Sequence, residues 1–298
     1  MIERRSTPKL RQRLADSRPL LAVELRPPRR DLDGVRAMEA WIDVYHAVRR
    51  LSAVDTLIFL TDNAIGTDEE ESLSHLVRNL GDDVLHGRIA PFLTLKHDLQ
   101  YCLRFADRAQ RVGFPGLVVL GGDRHDGIPR CLPRSWQLRE RLREESPGML
   151  LGGWANPYHD PAEQAELLAR YRGTLDFVLT QVTSHHEIGP VATFMSELAR
   201  RGLDLPVFAG VFFFRSARRK TLDALAEFIP VPRAGIVRDF EERGLSPEEV
   251  AARTIVALSD VGVTRFYVSN LVTLQAARQL ERIAELAGLR PVPRDPMS

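Results

Sequence analysis

The sequence predicts an α/β protein whose single domain is a (β/α)8 TIM barrel, with a helical insertion between its seventh and eighth strands. Three observations predict it. Eight short apolar runs, many of them β-branched or aromatic, recur along the 298 residues and read as strands buried on both faces, as a parallel sheet requires. Amphipathic helical patterns fill the intervals, so strand and helix alternate. The length is that of one such barrel. The rival fold, an open doubly wound sheet, announces a dinucleotide site with GxGxxG after its first strand. Here that position reads VELRPP, without a glycine.

The strands are expected at Leu20–Leu25, Val54–Leu60, Ile89–Leu95, Gly116–Leu120, Met149–Trp154, Asp176–Val182, Val207–Phe213 and Thr264–Ser269. Gly34–Leu51 sets Val35, Met38, Ile42, Tyr45 and Val48 at helical spacing, and Glu69–Leu80 does the same with Leu73, Leu76, Val77 and Leu80. A helix over Leu99–Val112 opens behind Asp98, an N-cap residue. Ser135–Glu145, Pro161–Tyr171 and Ile188–Arg201 follow, and the insertion carries helical patterns at Ala217–Phe228 and Val237–Arg243. LSPEEVAARTIVALSDVG signals its helix fully: Ser246 caps it, Pro247 opens it, and Glu249 stands three residues after the cap. Its stripe is Val250, Thr254, Leu258 and Val261. A last helix spans Thr273 to Ala287. Around the domain, residues 19–288, the charged residues 1–18 read as an arm and the Pro-rich residues 289–298 as an extended tail.

Composition excludes several classes. Lys and Arg number 41 against 40 Asp and Glu, so no global field draws in nucleic acid. No apolar stretch is long enough to span a bilayer. Cys102 and Cys131 form no CxxC pair, which excludes a redox motif or zinc ribbon, and a cytoplasmic setting is expected. The expected partner is a small molecule, and the expected assembly a homo-oligomer. The basic cluster Arg215, Arg218, Arg219 and Lys220 reads as a solvated face.

In such a barrel the chemistry sits where strands end. The residues there are Glu24; Thr61-Asp62-Asn63; Lys96-His97-Asp98; Asp123-Arg124-His125; Asn156 with Tyr158-His159-Asp160; Gln181 with Ser184-His185-His186; Arg215-Ser216; and Asn270. Five of the eight histidines fall at these ends, which raises a metal-dependent lyase or hydrolase using His97, His125, His159 and His185 as an alternative. Against it, the first strand ends on Glu24 and Arg26 rather than HxH. Adjacent His185 and His186, in extended backbone, point to opposite faces. No metal is therefore expected. Gly121-Gly122 offer either close backbone approach to a phosphate or flat ring, or a tight turn. Gln181 either satisfies backbone or presents a donor and an acceptor to a heterocycle.

The order of these motifs resembles the methylenetetrahydrofolate reductase family over residues 20 to 288. VELRPP is similar to the family's first-strand Phe-Glu-Phe-x-Pro-Pro, and LDFVLTQ to its sixth strand. FLT, Gly-Asp, Asn-Pro and AGV fall in sequence between and after them. The resemblance implies reduction of 5,10-methylenetetrahydrofolate to 5-methyltetrahydrofolate by NAD(P)H, NADH ahead of NADPH, on a barrel that carries FAD. It makes Glu24 the general acid that opens the imidazolidine ring, Asp123 a pterin-side carboxylate that tunes the flavin, and Gln181 a contact to pterin and nicotinamide. It places Thr61, Gly121, Gly122, Asn156, His159, Glu166 and Arg170 on the cofactor, and Gln181, His185, Phe213 and Arg215 on the folate. A non-catalytic folate-binding subunit is a further alternative.

The departures fall on the flavin side. The family's His-Leu-Thr is Phe92-Leu93-Thr94, its Arg-Gly-Asp is Gly121-Gly122-Asp123, and a lysine is Arg170. Two routes follow: FAD held through other contacts, or hydride passed directly from NAD(P)H. One tension is local. Arg26 lies two residues beyond Glu24, on the same side of a continuing strand, where its charge opposes a proton-donor role.

Overall fold

The computed structural model describes residues 10–28, 32–54, 56–61, 86–122 and 127–289. Eight strands form the expected closed barrel: β1 Leu20–Leu25, β2 Ile58–Leu60, β3 Ile89–Thr94, β4 Gly116–Leu120, β5 Leu150–Ala155, β6 Phe177–Thr183, β7 Val207–Phe212 and β8 Arg265–Ser269. Every neighbouring pair is parallel, and β8 closes on β1 with Val268 beside Val23. β2 is shorter than expected. Thr56, inside the predicted run, instead donates its hydroxyl to the carbonyl of Leu21 at 2.5 Å.

The helices are α1 Leu10–Ala15, α2 Gly34–Ser52, α3 Leu99–Val112, α4 Ser135–Glu145, α5 Pro161–Arg170, α6 Gly189–Arg200, α7 Arg219–Leu225, α8 Arg233–Val237, α9 Pro247–Asp260 and α10 Ala276–Leu286. Their starts follow the caps the sequence offers. Asp98 accepts from the Tyr101 amide, and Ser246 and Glu249 form the capping box that opens α9. The helix expected at 69–80 lies outside the described residues.

Two expectations are corrected. The first half of the stripe assigned to α2 does not face the barrel: Val35 and Met38 are 72% and 66% exposed, whereas Val48 is buried with Val44, Ala47 and Leu51, and Tyr45 packs against them. The arm also has a folded part. α1 buries Leu10 and Leu14 against Leu20, Ala22, Val118 and Leu150, at the end of the barrel where strands begin. Arg265 fixes it by donating to the carbonyls of Leu14 and Asp16 at 2.9 and 2.8 Å.

Above that floor the barrel is filled. Phe59, Phe177, Phe208 and Tyr267 meet inside it, with Phe59 edge-on to Phe208 at 5.2 Å between centroids. Glycines make the room: a Cβ on Gly152 would stand 2.5 Å from the Phe177 ring, and one on Gly210 would stand 2.6 Å from the Tyr267 hydroxyl. The insertion closes over the other end. Leu222 of α7 and Ile236 of α8 pack with Phe212, Phe214 and Val250, continuous with the interior.

Candidate active site

Glu24 ends β1 with its side chain in the barrel interior and 8% of its surface exposed. Burial pushes its pKa above the ordinary carboxylate range. Two contacts pull the other way. Arg26 donates from Nε to Oε1 at 3.4 Å, and Ser269, the last residue of β8, donates its hydroxyl. Arg26 therefore does lie on the acid's side, but its guanidinium is mostly in solvent and its contact is long, so desolvation wins.

Beneath the acid stands Tyr267, fully buried, its phenol held neutral by burial first and by the neighbouring Glu24 charge second. Its hydroxyl donates to the carbonyl of Thr180 at 2.6 Å. That carbonyl is free because β6 bulges: Leu179 pairs with Phe208, but Val182 pairs with Gly210, one residue out of step. The bulge also turns the Thr180 hydroxyl to accept from the Gly210 amide at 3.1 Å. Ser269 and Tyr267 escaped the sequence reading. Their signal was present, since both occupy alternate positions of β8 beside β1.

Other expected residues are placed differently. Gln181 sits at the bulge, half-buried, its side-chain carbonyl accepting from its own neighbour's amide, Val182, at 2.9 Å. Only its amide nitrogen is left to donate outward. Phe213 faces the helices and packs in the outer core, so it cannot touch a ligand in the mouth. Phe212 and Phe214, one residue to either side, are the inward pair. Arg215 ties the exits of β7 and β8 together by donating to the carbonyls of Asn270 and Leu271. Asp123, Asp62, Asn63 and His125 lie outside the described residues.

Among the described residues, those expected on the flavin are engaged with the chain itself. The Lys96 side chain covers Gly122, where a Cβ would stand 2.7 Å from Lys96 Cε, and Arg130 covers Gly121 and donates to the Gly122 carbonyl at 2.6 Å. Gly122 has φ +74°, so this is the tight turn, not an open platform. The Thr61 hydroxyl donates to the Leu25 carbonyl at 3.3 Å. Asn156 caps its own turn, accepting from Tyr158, and His159 is exposed. Glu166 and Arg170 pair with each other at 2.9 Å on the outer surface of α5, both more than half exposed.

Among the described residues, the strand-end histidines His97, His159 and His185 do not converge on one ion. His97 stacks on Tyr101 at 4.4 Å. His185 instead joins His186, and the reason given for keeping that pair apart fails. They lie in a turn rather than extended chain, their rings 4.0 Å apart. Both direct Nε2 at Oδ2 of Asp239, which is fully buried in the insertion. Among the described residues this is the set with metal-ligand spacing. His185 is thus corrected from a folate contact to a partner of the insertion. Burial lifts the pKa of Asp239, but the His186 hydrogen bond, the two imidazoles and Arg243 outweigh it and hold the pKa low. The His185 pKa falls to about 4, through burial and then the His186 charge.

Comparison with known proteins adds the fold. No protein-family model matches the chain, and no curated protein matches it. Solved structures match in number, 576 chains, a breadth that speaks for a widely used fold rather than for one activity. One is described as an F420-dependent secondary alcohol dehydrogenase in complex with an F420-acetone adduct. It is 11% identical, has a TM-score of 0.56, and the alignment covers 91% of this chain and 99% of that one. No helix among the described residues is long and apolar enough to cross a membrane.

Proposed function

We propose that the chain is an oxidoreductase of the methylenetetrahydrofolate reductase type, passing hydride directly from NAD(P)H to the folate. One observation carries the reading: Glu24, a buried carboxyl at the active end of the barrel whose pKa burial raises above the ordinary carboxylate range. Ring opening of the imidazolidine needs such a donor, because the departing nitrogen must leave as a neutral amine. Once the proton has moved, Glu24 is a carboxylate within reach of Arg26 and Ser269. It faces the iminium cation that then accepts hydride. Tyr267, donating to Thr180, fixes the floor under the acid. The dehydrogenase of similar fold supports the broader part, hydride chemistry on such a barrel, and the first-strand motif the narrower part.

The experiment is NADH oxidation by the purified protein with methylenetetrahydrofolate, alongside its visible spectrum. Turnover by protein without flavin absorbance is expected. Turnover only after FAD is added returns the flavin route. No turnover with FAD or F420 added, while folate still binds, favours the non-catalytic subunit.

A further inference from the structure

The loop after β6 and the insertion meet at a group that the reductase reading does not use. His185 Nε2 and His186 Nε2 stand 3.0 and 2.8 Å from one atom, Asp239 Oδ2. Around a transition metal held by bonds of about 2.0–2.2 Å, neighbouring donor atoms stand roughly 3 Å apart. The three donor atoms all lie within 4.8 Å of one another, close enough to share one ion.

Hydrogen bonding decides what His185 presents. Thr254 of α9 has one hydroxyl proton, which goes to the Val250 carbonyl at 3.1 Å. Its oxygen accepts from the His185 amide at 3.2 Å and faces His185 Nδ1 at 3.2 Å. With the Thr254 proton on Val250, Nδ1 carries the ring's proton, and Nε2 of the neutral ring a lone pair. That atom is buried without a hydrogen bond although the Asp239 oxygen is 3.0 Å away, close enough for an ion pair but not aimed for a hydrogen bond. A lone pair against a carboxylate oxygen is unfavourable unless a cation lies between them. A hydrogen bond at the far nitrogen is also how metal-bound imidazoles have their tautomer fixed.

The rest of the surroundings agree. Arg243 holds Asp239 Oδ1 at 2.9 Å and leaves Oδ2 to the imidazoles. Gly235 lets the His186 ring lie against α8, where any Cβ would stand 2.4 Å from it. Asp239 sits on a single π-helical turn, Arg238–Glu242, a distortion common at functional sites. His185 also lines an open cleft of about 460 Å³ with Glu249 and Arg253.

We propose that His185, His186 and Asp239 bind one divalent transition-metal ion, which clips the insertion to the loop after β6. The ion replaces the hydrogen that His186 donates to Asp239, and that ring carries its proton on Nδ1 instead. Two imidazoles and one carboxylate suit Zn²⁺, Co²⁺ or Fe²⁺. Mg²⁺ and Ca²⁺ prefer oxygen cages, and the nearby Arg243 and Arg253 disfavour a cation held by charge alone.

The test titrates chelator-stripped full-length protein with Co²⁺ and Zn²⁺ in the absence of substrate, so it is independent of the reductase reading. One equivalent of Co²⁺ should give visible ligand-field bands, lost on adding Zn²⁺ and unaffected by Mg²⁺, and either metal should raise Tm. Asp239→Asn and His186→Gln should weaken binding at least about tenfold, as should Thr254→Val, while His46→Gln, an exposed control on α2, should not. A featureless Co²⁺ titration with unchanged Tm overturns the proposal, as does unaltered binding in the variants. If Asp239→Asn does not fold, the wild-type spectrum and Thr254→Val decide.

Discussion

Two carboxylates among the described residues are buried at the active end of this barrel, and they go opposite ways. Glu24, at the end of β1, is pushed toward its neutral form; Asp239, in the insertion, is held ionised although it too is buried. Burial raises both; partners separate them. Glu24 has one long contact from a solvent-facing guanidinium and one hydroxyl. Asp239 has two imidazoles and a guanidinium within 3.0 Å. One environment favours the neutral carboxyl, and the other favours the charge.

The comparison breaks first at Glu24. Glu24→Gln should lower reductase turnover by at least about 100-fold, the usual worth of a general acid, with folate binding retained in a direct titration. The same change should stabilise the fold. A carboxyl with a raised folded pKa contributes stability below its unfolded pKa and loses it as pH rises through the folded value. The Tm advantage of Glu24→Gln should therefore grow from pH 4 toward neutrality; a Tm difference flat with pH would contradict the raised pKa.

Asp239→Asn should act in the other direction, costing about 3 kcal/mol in urea unfolding at neutral pH, because it leaves two imidazoles and Arg243 around an uncharged group. Asp239 has a lowered pKa, so its contribution is present above the unfolded value and lost as pH falls. The deficit of the variant should shrink below about pH 4. Gly210→Ala tests the support beneath Glu24. Its Cβ would meet the Tyr267 hydroxyl and the Val182 backbone, so a loss of about 1–3 kcal/mol and a shifted Tyr267 environment in near-UV circular dichroism are expected. Arg170→Ala should change stability by less than about 0.5 kcal/mol, since it removes only an exposed pair, and turnover should not move. A marked rise in KM for NADH would restore Arg170 to the cofactor.

The barrel and its acid were legible because both follow periodicity. Apolar runs of strand length placed β1 and β4 to the residue, and the position of Glu24 on β1 followed from the pleat. What failed was the carrying of a strand rule past a strand's end. His185 and His186 were read as extended, yet the chain turns at Ser184, whose carbonyl accepts from Glu187 at 2.9 Å, and both rings swing to one side. Asp239 gave no sequence signal, because a π-helical turn has no spacing of its own. Phe213 shows the complementary difference: it lies one position past the end of β7 and out of phase with the interior.

The plug of aromatic rings above α1 has a kinetic corollary. With Phe59, Phe177, Phe208 and Tyr267 meeting across the interior and Leu10 and Leu14 packed at the strand starts, the barrel is filled from that end. On the proposed reading, reductant and folate meet at the opposite end, together or in turn. If hydride passes directly between them, both must be there at once, and double-reciprocal plots should intersect. Parallel lines would mean that something at that end holds the electrons between visits.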